Sequence, residues 1–507
     1  MVSGEIRGIT KGEKVKIIEK VRITDAGTEG NAVARYGEMV IFVPFAVPGD
    51  VVDIEILRKK RSFAEGRIIK FHEYSSYRIA PFCSHFGVCG GCKWQQMSYE
   101  SQLFFKQKQV EDNLQRIGKI PSPNVRSIIA SPLTRGYRNK LEFTFSSQRW
   151  HVHPLSNLPA EDNDAETAEV QAAGMANRVP PDDSFALGFH IPKRWDKVLD
   201  INHCYLMKEP SNAIRLEVRK YSIEQGLSFY NPHDHSGFLR NIIIRNTNSG
   251  DLMLVMVFGH EEPDTIFPLL DHIILKFPGI TSVYYVVNEK KNDVISDLRL
   301  RHYHGSEYLS ESIPAFREGF PSLNCRIGPV SFFQTNPEQA SRLFRQAALY
   351  LDPGLHDTVY DLYTGTGTIA NFIAPYVKQV IGIESVPSAV KDAEINAEVN
   401  QNKNTMFIPG EAEKILADDF IGTHGHPDAV ITDPPRSGMH EKVIQTLIRV
   451  LPRKIIYVSC NPATQARDIQ MLGKAYDFIE SQPVDMFPHT QHVENVALLR
   501  LASEQVG

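Results

Sequence analysis

Thr358-Val-Tyr-Asp-Leu-Tyr-Thr-Gly-Thr-Gly-Thr368 decides the fold class of this chain. It opens as an apolar run of strand length and ends in a Gly-x-Gly turn, the pattern of a strand giving way to a helix. Gly365 and Gly367 would let the backbone turn sharply and approach a ligand closely. Seventeen residues past Gly367, Glu384 ends the next apolar run, Val380-Ile-Gly-Ile-Glu384. An acid at that point can accept hydrogen bonds from both hydroxyls of a ribose. The third glycine expected at a pyrophosphate is missing, which favours a nucleoside cofactor such as S-adenosylmethionine over NAD.

Two further runs, Asp428-Ala-Val-Ile-Thr-Asp433 and Lys454-Ile-Ile-Tyr-Val-Ser459, repeat the grammar. Strands apolar on both faces, separated by helical patterns, predict an α/β fold with a largely parallel sheet covered on both sides. Residues 328–507 are therefore expected to form a Rossmann-like domain. Ligands of such sheets sit beyond the carboxyl ends of the strands. Asp433, opening Asp433-Pro-Pro-Arg436, would project into that crevice, on a loop stiffened by Pro434 and Pro435. Cys460 follows the fourth strand, before Asn461 and a helix start, where a thiolate can be exposed and stabilised.

Upstream, residues 1–75 read as short strands broken by turn signals at Asp25-Ala-Gly, Tyr36-Gly and Pro48-Gly-Asp. Val52, Ile54 and Ile56 alternate with Asp53, Glu55 and Leu57, as in a half-buried strand of a small barrel. Residues 76–327 are mixed, with an α+β character. Leu103, Val110, Leu114 and Ile117 keep one helical face that Gly118 would end. Lys140-Leu-Glu-Phe-Thr-Phe145, Asp251 to Phe258 and Ser282 to Val287 look like strands. The stretch from about 155 to 184 lacks periodic apolar residues and holds most of an acidic run, seven acids against one arginine between Glu161 and Asp183, as expected of a surface insertion.

Hydrophobic residues make up 42% and charged residues 23%, a globular composition, and no apolar stretch approaches the roughly 20 residues of a membrane span. The start lacks a signal-peptide pattern, so a cytoplasmic protein is expected. A net charge of −5 argues against indiscriminate nucleic-acid binding, although Arg58-Lys-Lys-Arg61 supplies a local basic run. No obligate protein partner is evident. Six cysteines are too few for a disulfide framework, yet three fall at 83, 89 and 92. Cys83-x5-Cys89-Gly-Gly-Cys92 has metal-site spacing, and Cys204 is the obvious fourth ligand. All-thiolate coordination suits zinc or a four-iron cluster equally.

Together these residues resemble the uracil-C5 RNA methyltransferases, a bacterial family that modifies ribosomal and transfer RNA. The resemblance spans nearly the whole chain. Residues 27–74 look like the family's OB-like TRAM barrel, an RNA-binding module, and Pro81 to Cys92 resembles its iron–sulfur segment. The resemblance thus implies a [4Fe-4S] cluster on Cys83, Cys89, Cys92 and Cys204. Tyr137-Arg-Asn-Lys140 is similar to a segment at the RNA face. Phe332-Phe-Gln-Thr-Asn336 matches the segment whose glutamine, here Gln334, touches the cofactor. Contacts to S-adenosylmethionine are also implied for Tyr363, Glu384 and Asp433, with Thr368 a further candidate. Ser459-Cys-Asn-Pro462 matches the nucleophile motif, giving Cys460 that role, and Pro488-His-Thr-Gln-His-Val-Glu-Asn-Val matches the motif of the proton-removing Glu494. One departure stands out: the family's loop often reads Cys-Gly-x-Gly-Asn, and here it is Thr364-Gly-Thr-Gly-Thr368. The Thr368 hydroxyl would have to replace that asparagine.

The chemistry explains the residue types. Carbon 5 of uracil is a poor nucleophile until a thiolate adds at carbon 6 and makes the ring an enolate. A base must then remove the carbon-5 proton so that the cysteine can leave. A TRAM barrel with a cluster points to the 23S ribosomal RNA branch. The same chemistry on a tRNA T-loop uridine is the alternative. A non-catalytic RNA-binding assembly factor and a zinc-stabilised binding module are readings of another class.

Overall fold

The computed structural model describes residues 16–152 and 181–503. The core of the acidic stretch expected as a surface insertion lies outside the described residues. The chain divides into two compact units, each discontinuous in sequence: residues 1–105, 147–201 and 489–491 form one, and residues 106–146, 202–488 and 492–507 the other.

In the first unit, five strands close into a barrel in the order Ile17–Ala26, Ala32–Tyr36, Met39–Val43, Phe63–Glu73 and Val51–Lys59. Closure leaves no open sheet edge. The alternation expected around Val52 holds in part: Val52, Ile54 and Ile56 are buried in the barrel core with Ile23 and Ile41 and Leu57 is exposed, but Asp53 is buried too, accepting from the Lys20 amide at 2.8 Å. A hairpin of Ala186–Ile191 and Arg194–Asp200 belongs to the same unit.

The second unit carries two large sheets and a separate two-stranded one, Leu309–Ile313 with Leu323–Ile327. One large sheet runs Arg301–Gly305, Ser282–Val287, Leu252–Phe258, Leu239–Asn246 and Lys140–Ser146. The helix Tyr99–Arg116 ends as its sequence demanded: the Gly118 amide returns to the Asn113 carbonyl at 3.0 Å. The other large sheet runs Thr405–Pro409, Gln379–Glu384, Thr358–Leu362, Ala429–Thr432, Lys454–Ser459, Glu494–Leu501 and Tyr476–Val484. Its first five strands are parallel, and Glu494–Leu501 runs antiparallel to both of its neighbours, Lys454–Ser459 and Tyr476–Val484.

Both faces of this sheet are covered, which is why its central strands are largely apolar on both sides, Asp361 being a buried exception. Val359, Val380, Ile431 and Ile456 pack with Leu343, Phe344 and Ala347 of the helix Pro337–Leu351. Their chain neighbours Tyr360, Ile381, Val430 and Ile455 pack on the opposite side with Val443, Ile444 and Leu447 of Glu441–Val450 and with Ile469 of Pro462–Leu472. Asn336 starts the first of these helices by accepting from the Gln339 amide, with Pro337 at the first helical position. The parallel ladder then fixes what matters for the site: every loop at its carboxyl edge opens to the same side.

Candidate active site

Five expected residues come together at that edge because register puts them there. Leu362 pairs with both Ile383 and Thr432, so Tyr363, Glu384 and Asp433 leave adjacent strands at one level. Ser459 pairs with Asn495 across the antiparallel step, which sets Cys460 beside Glu494. The crevice therefore runs from Glu384, past Asp433, to the thiol and its neighbouring carboxyl group.

At the Glu384 end, the carboxylate is already hydrogen-bonded: one oxygen accepts from the Gly365 amide at 3.0 Å, the other from the Val386 amide at 2.8 Å. The second oxygen also accepts from the Ser385 hydroxyl at 3.2 Å, so the oxygen bound to Gly365 is the one that keeps a lone pair for a ribose hydroxyl. The two glycines turn out to do different jobs. Gly365 has φ +58° and nothing within 4 Å of where a Cβ would stand, so its backbone faces open space. Gly367 has φ +69°, and a Cβ there would stand 2.7 Å from that of Ala393 and 2.9 Å from the Phe407 ring. Gly367 thus serves close packing and Gly365 the approach to a ligand. An acid with a free lone pair beside an open glycine backbone fits the ribose end of a nucleoside cofactor.

Thr368 opens the short helix behind this turn, its hydroxyl 3.2 Å from that of Thr366. Gln334 is half-buried, and its backbone carbonyl accepts from the Asn139 amide group at 3.1 Å. Tyr363 sits at φ +62°, and its hydroxyl accepts from the His440 backbone, turned away from the glycine loop. The side chain lines a cavity with Ser437, His440 and Arg467.

Electrostatics set the chemistry at the other end. Burial, then the neighbouring charge of Asp361, pushes Asp433 up to about 7. Burial, followed by the Asp433 charge, pushes Glu494 up to about 8. Burial also raises the Cys460 thiol to about 11, with Glu494 and Asp433 adding to the effect. Arg436 opposes the last two shifts, by its charge near Glu494 and Cys460 and by a hydrogen bond to the thiol. His492 is held down near 4 by burial and by the cations Arg436, Lys106 and Arg138, so its imidazole is neutral at physiological pH.

Arg436 was quoted in the sequence only as part of a stiff loop. Its role depends on where its backbone is held: the Arg436 carbonyl accepts from Asn461 at 2.9 Å and Thr464 at 3.2 Å. Asp468, fully buried, accepts from the Met439 amide at 2.7 Å and the Tyr457 hydroxyl at 2.6 Å. These bonds tie the 433–439 loop to the helix that follows Cys460. Nothing in residue spacing announces them.

The cysteine-rich segment turns tightly, with the Phe86 amide bonded to the Cys83 carbonyl at 3.0 Å and the Cys89 amide to that of His85 at 3.1 Å. Burial raises the Cys83 thiol, helped by Cys89. Cys204 belongs to the second unit, its backbone gripped by Asn212 through bonds of 2.8 and 3.2 Å. All six cysteines are free thiols. Among the described residues no group of three or more His, Cys, Asp or Glu side chains is gathered so as to hold a metal. The expected four-iron ligand set thus has no support from the structure. Among the described residues, too, no helix is long and apolar enough to cross a membrane.

A sheet in this order, with an acid closing its second strand and a thiol and carboxyl group at its antiparallel step, is the frame of a Rossmann-like methyltransferase. The family profile described as tRNA (Uracil-5-)-methyltransferase matches residues 306–502, and the TRAM domain profile matches residues 12–69. A Bacteroides thetaiotaomicron protein described as an uncharacterized RNA methyltransferase is 48% identical over 93% of this chain and 99% of its own. One from Chlorobaculum tepidum is 37% identical over 96% and 94%. The solved Pyrococcus abyssi tRNA (uracil-54, C5)-methyltransferase, in complex with S-adenosyl-L-homocysteine, superposes with a TM-score of 0.69 at 26% identity, covering 94% of this chain and all of that one. The chain belongs to the S-adenosylmethionine-dependent RNA (uracil-5) methyltransferase family.

Proposed function

We propose that the enzyme methylates carbon 5 of a uridine in 23S ribosomal RNA, in the cytoplasm, with Cys460 as nucleophile and Glu494 as base. The observation that carries this reading is the Ser459–Asn495 pairing, which sets a thiol contacted by Arg436 beside a buried carboxyl group. The cofactor supplies an electrophilic methyl group on a sulfonium. Glu384 would hold its ribose, and Gln334, Asp433, Thr368 and the Tyr363 loop would complete its site.

The residues then act in sequence. Arg436 favours the Cys460 thiolate, which adds to carbon 6 and sends the ring's electron pair toward carbon 5 and the carbonyl at carbon 4. Carbon 5 would take the methyl group as the sulfonium–methyl bond breaks, its electron pair staying on the sulfur. Glu494 removes the carbon-5 proton, the double bond re-forms, and the carbon–sulfur bond breaks to release the thiolate. Proton and electrons balance without any other reactant. The three spans 1–75, 76–327 and 328–507 would serve as RNA barrel, central domain and catalytic domain.

Transfer of labelled methyl to unmodified 23S rRNA and to tRNA in parallel, with nuclease digestion, tests the proposal. Labelled 5-methyluridine from 23S rRNA alone is expected, and Cys460→Ala should abolish both turnover and the covalent RNA adduct. A second reading, a tRNA T-loop uridine, is favoured by one observation: the Pyrococcus abyssi enzyme named for tRNA uracil-54 aligns over 94% of this chain. Label in tRNA alone would establish it. Label in neither RNA would point to the non-catalytic assembly factor.

The four-iron cluster on Cys83, Cys89, Cys92 and Cys204 rests on the sequence spacing and family resemblance, and no catalytic step uses it. A broad near-visible absorption band in anaerobically purified protein, lost in Cys89→Ser, would support it. A stoichiometric colourless metal would favour zinc.

A further inference from the structure

Glu494 is the first residue after a nine-residue loop. The strand before the loop ends at Val484, which pairs directly with Glu494. Long loops usually carry conformational freedom, yet this one begins under close restraint. The carbonyl of Asp485 accepts from the Gln339 side chain at 2.8 Å. That of Met486 accepts from Asn336 at 3.1 Å, that of Phe487 from Lys106 at 3.0 Å, and that of Pro488 from the Tyr137 hydroxyl at 3.1 Å. Four consecutive carbonyls are thus held by four side chains from three separate parts of the chain. The Asp485 carboxylate adds a fifth tie, accepting from Lys106 at 2.5 Å and from the Phe487 amide at 3.2 Å. All four donors are buried.

We infer that Gln339, Asn336, Lys106 and Tyr137 are positioning residues for Glu494, fixing the loop that delivers this carboxyl group to the reacting carbon. The inference rests on the assignment of Glu494 as base. Its physical logic is one of economy: a strand fixes only the backbone of its first residue, whose side chain swings with the loop that leads into it. A proton transfer needs heavy atoms within hydrogen-bond reach of the carbon-bound proton, so a loop free by an ångström would lose it. The clamp also joins the two halves of the reaction. Asn336 closes the Phe332–Asn336 segment that carries Gln334, while its side chain grips Met486 on the base loop.

The restraint acts on the step after methyl transfer. Loosening it should leave thiol addition intact and slow elimination, so the methylated cysteine-linked RNA should accumulate. Gln339→Met and Tyr137→Phe each remove a donor with little change of shape. The test uses the full-length enzyme, labelled S-adenosylmethionine and whichever unmodified RNA it accepts, and reads turnover and denaturant-stable protein–RNA adduct. For the double variant, turnover should fall about tenfold while adduct rises, and affinity for S-adenosylhomocysteine should hold. Tyr137→Phe alone, missing a single oxygen, should show the same pattern more weakly and guards against a folding failure of the pair. Lower turnover with adduct falling in proportion would mean a merely structural role and overturn the inference, as would unchanged turnover. Glu494→Gln is the control. If it traps adduct and the clamp variants do not, the clamp fails alone; if it traps none, the base assignment fails and takes the clamp with it.

Discussion

Cys460 and Glu494 stand side by side because Ser459 pairs with Asn495 where the parallel part of the sheet gives way to its first antiparallel pairing. The sheet's change of direction thereby makes the site. A strand running out of the sheet delivers the thiol, and one running in delivers the carboxyl group. Parallel strands alone would have put both on outgoing loops.

Glu494 is raised to about 8, so most of it is protonated at neutral pH, and a base must be ionised. The rate of adduct resolution should therefore climb as pH rises from 6.5 to 9, levelling above the carboxyl group's own pKa. Single-turnover release of methylated RNA, measured across that range, checks it. A flat profile would mean the carboxyl group is already charged and the burial argument wrong.

The same shift has a stability consequence. Glu494 binds its proton more tightly folded than unfolded, so it favours folding below the unfolded value near 4.5 and loses that contribution as pH rises toward 8. Glu494→Gln never ionises, so it should gain on the wild type as pH increases. The difference at pH 9 should exceed that at pH 5 by on the order of 4 kcal/mol. Urea unfolding at the two pH values reads it, and a pH-independent difference would contradict it.

Arg436 should matter most for the first chemical step. Its charge and hydrogen bond oppose the burial that, with the neighbouring carboxyl groups, still leaves the thiol at about 11. Arg436→Met should slow adduct formation by about tenfold to a hundredfold, roughly one to two pKa units of lost thiolate. Raising the pH should restore part of the rate. In Glu494→Gln, by contrast, adduct should form and persist, so rapid-quench trapping separates the two residues.

How far the sequence carried depends on the range of the cause. The Gly-x-Gly turn, the acid at 384 and the strand-end Asp433 and Cys460 were legible because each follows from the period of its own strand. The packing role of Gly367 was not, since it is set by Ala393 and Phe407 on other elements. Arg436 was visible only as a motif letter, because the bonds from Asn461 and Thr464 that hold its backbone span more than twenty residues. The clamp on residues 485–488 was invisible for the same reason, as Lys106 and Asp485 lie 379 positions apart. The cysteine spacing marks the limit of pattern alone: it suits a metal, yet among the described residues no group of three or more candidate ligands supports one.

Lys106 and Asp485 are both fully shielded from solvent. Removing one partner strands a buried charge, so Lys106→Met should cost about 3–5 kcal/mol of stability. Lys106→Met with Asp485→Asn should recover a good part of that, because no charge remains. Denaturant midpoints of the two variants decide it; a double variant less stable than the single would show that the bonds to the loop outweigh the charge.

Gly365 and Gly367 should separate cleanly under alanine substitution. Both have left-handed backbones, a strain of about 1 kcal/mol for alanine. At Gly367 the new methyl group would also press on Ala393 and Phe407, and the total should reach about 2–3 kcal/mol. At Gly365 the methyl group enters open space within the cofactor crevice, so stability should drop only slightly while affinity for S-adenosylhomocysteine falls. Calorimetric titration beside thermal unfolding tests both at once. Equal loss of affinity in the two variants, relative to their stabilities, would erase the distinction between a packing glycine and a ligand-facing one.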